Sequence, residues 1–476
     1  MEIKKFCLNN IGRFEKIDIP LAPNQHNTGN VTVIVGNNGA GKTSLLKSLA
    51  TSLSWLVSRI RSENGSGSPI PELVIQNGKT SAAIDIDVFD EQGQAANPDA
   101  DEADYLFHWV IAKTRKGRIG EHKTNLSDVT QLAEHYRYLL SNNQKTSLPL
   151  IAFYPVERAV VEIPLKIKNR HTFLQLDGYD NSLTQGVDFR RFFEWFRERE
   201  DSENELGISE EVFEQFKSMF KGNDEVIRKL VATRASSKDQ QLTAVRKAIS
   251  QFMLGFSNLR VRRKPRLHMS IDKEGSPLNV AQLSQGEKSL MVLVGDIARR
   301  LAMMNPDLEN PLMGDGIILI DEVDIHLHPK WQRSLLKQFT STFPNCQFVL
   351  TTHSPLVISD SEDVLAYLID GSESTTKELT VLPSQFGQDA NSVLLDVMDT
   401  GIRNSSINIQ FNELFDAIQE AKIEEAKGML NKLESTLPAN NLELAKAKLL
   451  LRKQVLRKQL LRKQALRKQE LRREKD

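Results

Sequence analysis

Cysteine is nearly absent from this chain of 476 residues, which has only Cys7 and Cys346. The two fit neither the spacing of a metal site nor a disulfide framework, so they indicate ordinary thiols in a reducing compartment. Long apolar runs are also absent. The N-terminal stretch MEIKKFCLNNIGRF lacks the apolar core of a signal peptide, and no run reaches the ~20 residues of a membrane span. We therefore expect a cytoplasmic protein with no membrane partner.

The chain also has no excess of positive or negative charge, because 62 Lys and Arg balance 62 Asp and Glu. The balance hides a basic tail. Residues 451–476 carry 11 basic and 3 acidic side chains, which leaves 51 basic and 59 acidic ones elsewhere. The tail repeats every five residues, so its leucines advance about 500° per step around a helix and form no coiled-coil seam. It is either a solvated basic helix or a contact for nucleic acid or an acidic partner.

Apolar periodicity predicts alternating strands and helices. The stretches MEIKKFCLNN, FEKIDIPL, AAIDIDVF and YLFHWVIA alternate as strands of an antiparallel sheet do, and VTVIVG is typical of a buried strand. A helix follows VTVIVG, since Leu45, Leu46, Leu49, Leu53 and Leu56 recur at helical spacing. These patterns indicate a strand, a glycine-rich loop and a helix in succession.

The second half of the chain shows the same alternation. A charged helical region comes first, and LRVRRKPRLHMSI then resembles a basic strand. The pattern continues with a helix at 284–304, the strand GIILID, a helix at 330–342 and the strand CQFVLTT. From about residue 400 the chain is predicted to be helical to its end. Such alternation favours an α/β fold.

The sequence GNNGAGKT, residues 36–43, matches G-x-x-x-x-G-K-[ST] between a predicted strand and a predicted helix. Backbone N–H groups of such a loop hold phosphate, while Lys42 reaches the β- and γ-phosphates and Thr43 holds Mg²⁺. The predicted phosphate-binding residues are Gly36, Asn37, Asn38, Gly39, Ala40, Gly41, Lys42, Thr43 and Ser44. A glycine-rich turn without a ligand is the simpler alternative, which this context disfavours.

Three carboxylates and two histidines crowd the stretch DEVDIHLHPKWQ, residues 321–332. A buried strand that ends in two acids suits a phosphate site, where Asp321 supports the metal and Glu322 orients or deprotonates water. His326 and His328 are two residues apart, a spacing that also occurs in zinc or iron sites. No further ligands stand nearby in the sequence. In isolation, the two acids are equally consistent with a solvated strand end.

The stretch LSQGEKS, residues 283–289, lies between the phosphate loop and these acids, and FVLTTHSP follows them. The order of these four motifs resembles that of ABC-type ATPases, over roughly residues 1–60 and 255–395. The resemblance implies an ABC-type P-loop ATPase head of α/β class, with an antiparallel β subdomain, a helical insertion and a C-terminal helical extension. It also implies that ATP and Mg²⁺ are the ligands.

The same resemblance assigns roles to further residues. Two heads of a homodimer or higher oligomer would face each other, with Ser284 and Gly286 of one head at the γ-phosphate held by the other. Glu287 would also belong to the nucleotide-binding residues. Lys42, Glu322 and His353 would be catalytic, with His353 as the γ-phosphate sensor. The stretch VDIHLHP resembles the RecF- and OLD-like branch of the family, which makes His326 and His328 interface residues. Gln76 is the candidate for the glutamine loop, and the aromatic residue that stacks on adenine is either Phe14 or missing.

Longer stretches narrow the resemblance. LSQGEKSLMVLVGDIARRLAMMNP, FRRFFEWFREREDSEN and AVRKAISQF resemble the ATPase subunit of Septu-type anti-phage systems, also found in certain retron operons, up to about residue 450. The resemblance implies a separate HNH nuclease subunit as partner and, in retrons, a reverse transcriptase with its RNA–DNA product. The predicted divisions are an N-terminal lobe at 1–164, a helical insertion at 165–255, a C-terminal lobe at 256–398, C-terminal helices at 399–450 and the basic tail at 451–476.

A DNA-repair ATPase similar to RecF is the alternative function. Such a protein would bind DNA directly, and the basic side chains around the LRVRRKPR stretch are a candidate strip for that contact. They are Arg260, Arg262, Arg263, Lys264 and Arg266. A solvated strand face explains the same residues equally simply. The sequence shows no nuclease constellation after His353, which favours a nuclease in a partner subunit.

Overall fold

The computed structural model divides the chain into two compact units, residues 1–393 and residues 394–476. The residues that it describes are 1–93, 105–157, 173–184, 186–206, 210–221, 223–236, 238–369, 379–389, 392–393, 405–438 and 441–473. Residues 165–172 of the predicted helical insertion lie outside them, as do residues 94–104 and 158–164 of the predicted N-terminal lobe. No described helix is long and apolar enough to span a membrane.

The N-terminal unit alternates strands and helices. Its strands are β1 (Glu2–Ile11), β2 (Phe14–Pro20), β3 (Val31–Gly36), β4 (Ser81–Phe89), β5 (Leu106–Thr114), β6 (Leu150–Tyr154), β7 (Phe256–Arg262), β8 (His268–Lys273), β9 (Ser276–Asn279), β10 (Gly316–Ile320), β11 (Cys346–Thr352), β12 (Val364–Ile369) and β13 (Thr380–Val381). Its helices are α1 (Lys42–Arg61), α2 (Ser127–Asn142), α3 (Phe189–Leu206), α4 (Glu210–Met219), α5 (Asp224–Ser236), α6 (Gln240–Phe252), α7 (Gln285–Met304), α8 (Pro329–Thr342) and α9 (Pro355–Ser359).

A six-stranded sheet with the order β13-β12-β3-β11-β10-β6 forms the centre of this unit. All its neighbours run parallel except β12 and β13. Every residue of β3, β6, β10 and β11 is buried, as expected for parallel strands covered on both faces. The predicted strands VTVIVG, GIILID and CQFVLTT are confirmed as β3, β10 and β11. The strands β6 and β12 were not predicted, although LIAFY and VLAYLI are apolar runs of the same kind.

The predicted antiparallel sheet is present as β2-β1-β4-β5. Its inner face buries alternate side chains such as Ile3, Phe6 and Leu8. Gln347, a buried residue of β11, fixes this sheet beside the central one. Its amide donates to the carbonyls of Ile3 and Ala22 at 2.8 and 2.7 Å and accepts from the Ile3 N–H at 2.8 Å. One polar side chain therefore satisfies three backbone groups of the neighbouring layer.

The basic segment LRVRRKPRLHMSI forms two strands instead of the one predicted. β7 and β8 pair antiparallel, and β9 completes a three-stranded sheet. Lys264 and Pro265 lie in the connection between β7 and β8. Proline has no N–H to donate to a neighbouring strand, which is consistent with the break between the two strands at this point. The predicted helical character of the preceding region is confirmed by α3 to α6. Phe192 of α3 packs closely against Gly295 of α7, so a larger residue at position 295 would require the Phe192 ring to shift.

A buried charge cluster joins α7 to β6. Asp296 accepts bonds from Arg299 at 2.6 Å and from Arg300 at 2.7 Å, and the Tyr154 hydroxyl donates to it at 3.1 Å. Arg300 also donates to the carbonyl of Asp180 at 3.0 Å. Burial alone would raise the pKa of Asp296, but the two guanidinium groups outweigh burial and lower it. The carboxylate is thus ionised and balances cations that have no access to water.

The C-terminal unit consists of α10 (Ser405–Gln419), α11 (Ile423–Thr436) and α12 (Leu442–Arg473). The three helices share a core that includes Phe411, Leu414, Leu433, Leu444 and Leu451. The helical prediction for the end of the chain is therefore confirmed for the described residues. The repeat from residue 451 continues the same helix, so the proposed boundary between 450 and 451 lies within α12.

The buried cluster predicts a specific loss of stability for Asp296→Asn. Removal of the carboxylate leaves two guanidinium groups buried without their counter-charge, which costs on the order of 3–5 kcal/mol. Urea unfolding followed by tryptophan fluorescence measures this, because all four tryptophans lie in the N-terminal unit. Glu15→Gln is the matched control, since its Lys79 pair is well exposed, and we expect a loss below about 1 kcal/mol.

The pH dependence follows from the lowered pKa of Asp296. Its stabilising contribution is fully present above the ordinary aspartate pKa of about 4 and is lost as the pH falls through the lower folded-state pKa. The stability difference between the wild type and Asp296→Asn should therefore shrink below about pH 4. A difference that stays constant across this range would contradict the assigned charge state.

Candidate active site

The glycine-rich loop joins β3 to α1 at the carboxyl edge of the central sheet. Gly39 and Gly41 have φ angles of 77° and 103°, in the left-handed region that favours glycine. A Cβ at Gly41 would also lie 2.9 Å from the Phe14 ring, which is fully buried beneath the loop. Phe14 therefore supports the phosphate loop, and the suggestion that it stacks on adenine is wrong because its ring has no exposed face.

Lys42 is the first residue of α1, and its side chain folds back over the loop. Its ammonium donates to the carbonyls of Gly36 and Asn37 at 2.8 and 3.1 Å. Burial lowers the pKa of Lys42, and the nearby carboxylates of Glu322, Asp321 and Asp324 oppose that shift. The loop thus holds the Lys42 ammonium at the point where the chain turns from strand to helix.

The two acids follow β10 at the same edge of the sheet. Asp321 is fully buried, and its Oδ1 accepts from the Thr351 hydroxyl at 2.6 Å. The same Thr351 oxygen accepts from the Glu322 N–H at 2.7 Å. One hydroxyl therefore positions both acids, and Glu322 has the left-handed φ of 45° that is uncommon outside glycine. Backbone strain of this kind concentrates at functional sites.

His353 follows β11 and lies between Lys42 and Glu322. Its Nε2 is 2.8 Å from Lys42 Nζ and 3.9 Å from Glu322 Oε1. Burial lowers the pKa of His353, and the Lys42 charge lowers it further against the opposing pull of Glu322. The neutral imidazole accepts from the ammonium, so the three predicted catalytic side chains form one row.

The turn from residue 322 to 328 is fixed by a second set of polar contacts. Gln332 donates to the carbonyl of Leu327 at 3.0 Å, and its side-chain carbonyl accepts from the Ser354 hydroxyl at 2.8 Å. The Thr352 hydroxyl donates to Asp324. These bonds link the turn to the residues on either side of His353. Neither Gln332 nor Thr351 was predicted. Thr351 gains its partners from the register between β10 and β11, and Gln332 gains Ser354 from a segment 22 residues later in the chain.

Ser284 and Glu287 form the N-terminal cap of α7. The Ser284 hydroxyl accepts from the Glu287 N–H at 3.3 Å, and the Glu287 carboxylate accepts from the Ser284 N–H at 2.8 Å. Lys273 lies 2.7 Å from the other carboxylate oxygen. Burial alone would raise the pKa of Glu287, but these donors lower it. Within the described residues these contacts support the helix start, and they do not join it to Lys42.

Gly286 contacts the turn that contains the two histidines. A Cβ at this position would lie 2.2 Å from the carbonyl oxygen of His326, so only glycine fits. His326 has a φ of 63°, and His328 caps α8 by accepting from the Lys330 N–H at 3.2 Å. Among the described residues, no three His, Cys, Asp or Glu side chains are grouped as metal ligands. The interface role of His326 and His328 stays a prediction.

An apolar cavity of about 500 Å³ opens beside the first turns of α1. It is lined by Gly12, Ser44, Ser48, Val74 and Phe153 among others. The size and the mixture of apolar walls with a few hydroxyl groups are typical of small-molecule sites. Gln76 lies at the neighbouring sheet edge, where its N–H donates to the carbonyl of Asn10 at 2.9 Å. Its assignment to the glutamine loop stays a prediction.

The fold and the site together define an ABC-type ATPase head. A family model described as "AAA domain, putative AbiEii toxin, Type IV TA system" matches residues 31–359, and the chain belongs to this family. The match begins at β3 and ends after α9, so it includes the loop, both acids and His353.

Curated relatives include two retron ATPases and a Septu protein. The "Retron Vc95 probable ATPase" of Vibrio cholerae serotype O1 biovar El Tor is 33% identical over 398 residues, which cover 78% of this chain and 74% of that protein. The "Retron Ec83 probable ATPase" of Escherichia coli is 35% identical over 372 residues, covering 70% and 66%. The "Septu protein PtuA" of Bacillus mycoides is 32% identical over 161 residues, covering 32% and 22%. The predicted resemblance to retron-associated and Septu ATPases is thereby confirmed.

Among solved structures, an SmcHead bound to the C-winged helix domain of ScpA is similar to this chain. Its sequence identity is 14% and its TM-score is 0.44, with coverage of 80% of this chain and 98% of that one.

The position of Thr351 predicts a defect in metal use. Thr351→Val keeps the side-chain shape but removes the hydroxyl that positions both acids. We expect ATP turnover to fall about 10- to 100-fold and the Mg²⁺ concentration for half-maximal activity to rise, because outer partners of metal ligands have effects of this size. Thr351→Ser is the matched control and should retain most activity. An unchanged Mg²⁺ dependence in the valine variant would contradict the positioning role.

Proposed function

We propose that this chain binds and hydrolyses Mg-ATP as a subunit of a bacterial anti-phage defence complex. The observation that carries the catalytic part is the row formed by Lys42, His353 and Glu322 at the end of a glycine-rich loop. A phosphate chain held by this loop would meet a cation, a hydrogen-bonding imidazole and a carboxylate side by side. Such an arrangement provides positioning and charge stabilisation, which phosphoryl transfer chiefly requires.

Each predicted residue has a role in this proposal. Backbone N–H groups from Gly36 to Ser44 bind phosphate oxygens at the positive N-terminus of α1. Lys42 leaves the carbonyls of Gly36 and Asn37 to bind the β- and γ-phosphates. Glu322 orients or deprotonates the attacking water, and His353 contacts the γ-phosphate. The nucleoside extends into the cavity beside Ser44 and Ser48.

The oxygen ligands of the site suit Mg²⁺. Thr43 and Asp321 would hold it, since hydroxyl and carboxylate oxygens are the ligands that this hard cation prefers. When bound, Mg²⁺ neutralises phosphate charge. Thr351 keeps the Asp321 carboxylate oriented, and the complete burial of Asp321 shields it from competing water.

Dimerisation is the second part of the proposal. Ser284, Gly286 and Glu287 stand at the N-terminus of α7, a helix of 20 residues whose positive end suits an anion. In a head-to-head dimer Ser284 and Gly286 would contact the γ-phosphate held by Lys42 of the other head. The contact of Gly286 with His326 supports this arrangement, because it places the histidine turn beside the signature residues on one surface.

The partner is the third part. We infer a separate HNH nuclease subunit, joined in a retron by a reverse transcriptase and its RNA–DNA product. Support comes from the retron ATPases that match about three quarters of this chain. Direct DNA binding by a RecF-like repair ATPase is less favoured. In the structure Arg263 of the suggested strip pairs with Asp201 and Arg260 bonds to Asn258, so part of that strip is engaged within the chain.

Two substitutions separate nucleotide binding from hydrolysis. Lys42→Ala should abolish ATP binding, while Glu322→Gln should retain ATP and lose turnover by two orders of magnitude or more, since general-base catalysis contributes about 10²- to 10⁴-fold. Equilibrium binding of labelled ATP and phosphate release measure the two effects. Lys123→Ala, an exposed residue, is the matched control. A Glu322→Gln variant that hydrolyses ATP at the wild-type rate would refute the assigned role.

Purification from the native host tests the complex. Tagged wild-type protein and Glu322→Gln, isolated with Mg-ATP, should recover an HNH protein, and in a retron also a reverse transcriptase with its RNA–DNA product. Lys42→Ala as bait shows whether recovery depends on nucleotide. Mass spectrometry and sequencing identify the bound molecules. A homodimer that holds only duplex DNA would support the repair ATPase instead.

A further inference from the structure

Only the first part of the C-terminal helix α12 packs in the core of the three-helix unit. Leu444, Ala447 and Leu451 are buried at helical spacing and pack on α10 and α11. Beyond them Leu456, Leu460 and Leu461 are 53–59% exposed. The 22 residues from 452 to 473 therefore extend about 33 Å past the last buried leucine, at 1.5 Å per residue.

The five-residue repeat distributes positive charge around this projecting segment. Each repeat advances the chain by about 500°, which is about 140° beyond a full turn. Five successive Lys/Arg pairs, at 452–453, 457–458, 462–463, 467–468 and 472–473, thus fall at five different angular positions around the helix axis. The leucines are distributed in the same way, so the segment has neither an apolar stripe nor a neutral side.

The first two of these pairs differ from the cations on the packed part of α12. Lys448, on the packed part of α12, forms an ion pair with Glu434 at 2.6 Å. In the part of the chain that the structure describes, Arg452, Lys453, Arg457 and Lys458 have no such partner, and their side chains are exposed. Residues 452–473 contain ten basic residues and one acid, Glu470. Nine net charges over about 33 Å give one charge per ~4 Å, within a factor of about two of duplex DNA, which has one phosphate per ~1.7 Å.

We propose that residues 452–473 of α12 bind duplex DNA through its phosphates, without sequence preference. A docked protein needs a stripe of apolar or patterned side chains, and the repeat provides none. The major groove of duplex DNA has phosphates along both edges, so it suits a helix that carries positive charge all around its axis. The B-form major groove, about 12 Å wide, admits an α-helix of 10–12 Å diameter. This inference does not depend on the proposed ATPase function.

The test compares two variants of the full-length protein. One replaces six cations by glutamine, at Arg457, Lys458, Arg462, Lys463, Arg467 and Lys468. The other replaces three exposed leucines by glutamine, at Leu456, Leu460 and Leu461. Glutamine retains high helix propensity, so both variants should keep the helix. Binding to a labelled 30-base-pair DNA of arbitrary sequence is followed by fluorescence anisotropy over a range of salt concentrations.

We expect the cation variant to bind DNA at least tenfold more weakly than the wild type at 0.1 M salt. Its salt slope should fall by about one for each phosphate that the variant no longer binds, whereas the leucine variant should match the wild type. Circular dichroism and tryptophan fluorescence verify that both variants are folded. Lys42→Ala should bind DNA as the wild type does, which separates this inference from nucleotide binding.

Four results would overturn the proposal. The first is wild-type DNA binding by the cation variant. The second is loss of binding in the leucine variant alone, which would indicate an apolar protein contact. The third is equal binding of duplex RNA, whose narrow major groove excludes a helix. The fourth is equal competition by polyglutamate, which would indicate an acidic partner.

Discussion

The position of β11 between β3 and β10 determines the arrangement of the site. Parallel strands end at the same edge of a sheet, so the residues that follow these three strands must lie side by side. Lys42 begins the helix after β3, His353 follows β11 and Glu322 follows β10. The imidazole is therefore located between the ammonium and the carboxylate as a consequence of strand order.

Strain in the turn after β10 is balanced by contacts from β11. Glu322 and His326 both have positive φ angles, which cost on the order of 1 kcal/mol or more for residues other than glycine. The hydroxyl and carbonyl of Thr351 bind the N–H groups of Glu322 and Val323 at 2.7 and 2.9 Å, and Gln332 holds the end of the turn. The strand β11, which His353 follows, thus also fixes the conformation of Glu322. The positions of His353 and Glu322 are therefore coupled.

Much of this could be predicted because it depends on local sequence. Continuous apolar runs identified β3, β10 and β11, and the glycine loop is recognisable from eight consecutive residues. What escaped prediction depends on pairing between distant segments. Thr351 gains its partners from the register between β10 and β11. Gln347 gains its partner Ile3 from the antiparallel sheet, and that partner lies 344 residues earlier in the chain. The role of Phe14 stayed open in the sequence because an aromatic side chain near a nucleotide motif looks the same there whether it is exposed or buried beneath the loop.

Gly286 contacts the turn that contains His326 and His328, and this contact couples the turn to the start of α7. A glycine in LSQGE is expected where a backbone approaches phosphate closely, yet here it is also required by the carbonyl of His326 within the same chain. Because any Cβ would push the turn away, the signature residues and the histidine segment must keep a fixed distance. That segment begins at Glu322, and Thr351 joins it to the strand of His353. The start of α7 is therefore connected to the row of Lys42, His353 and Glu322 through the backbone of a single turn.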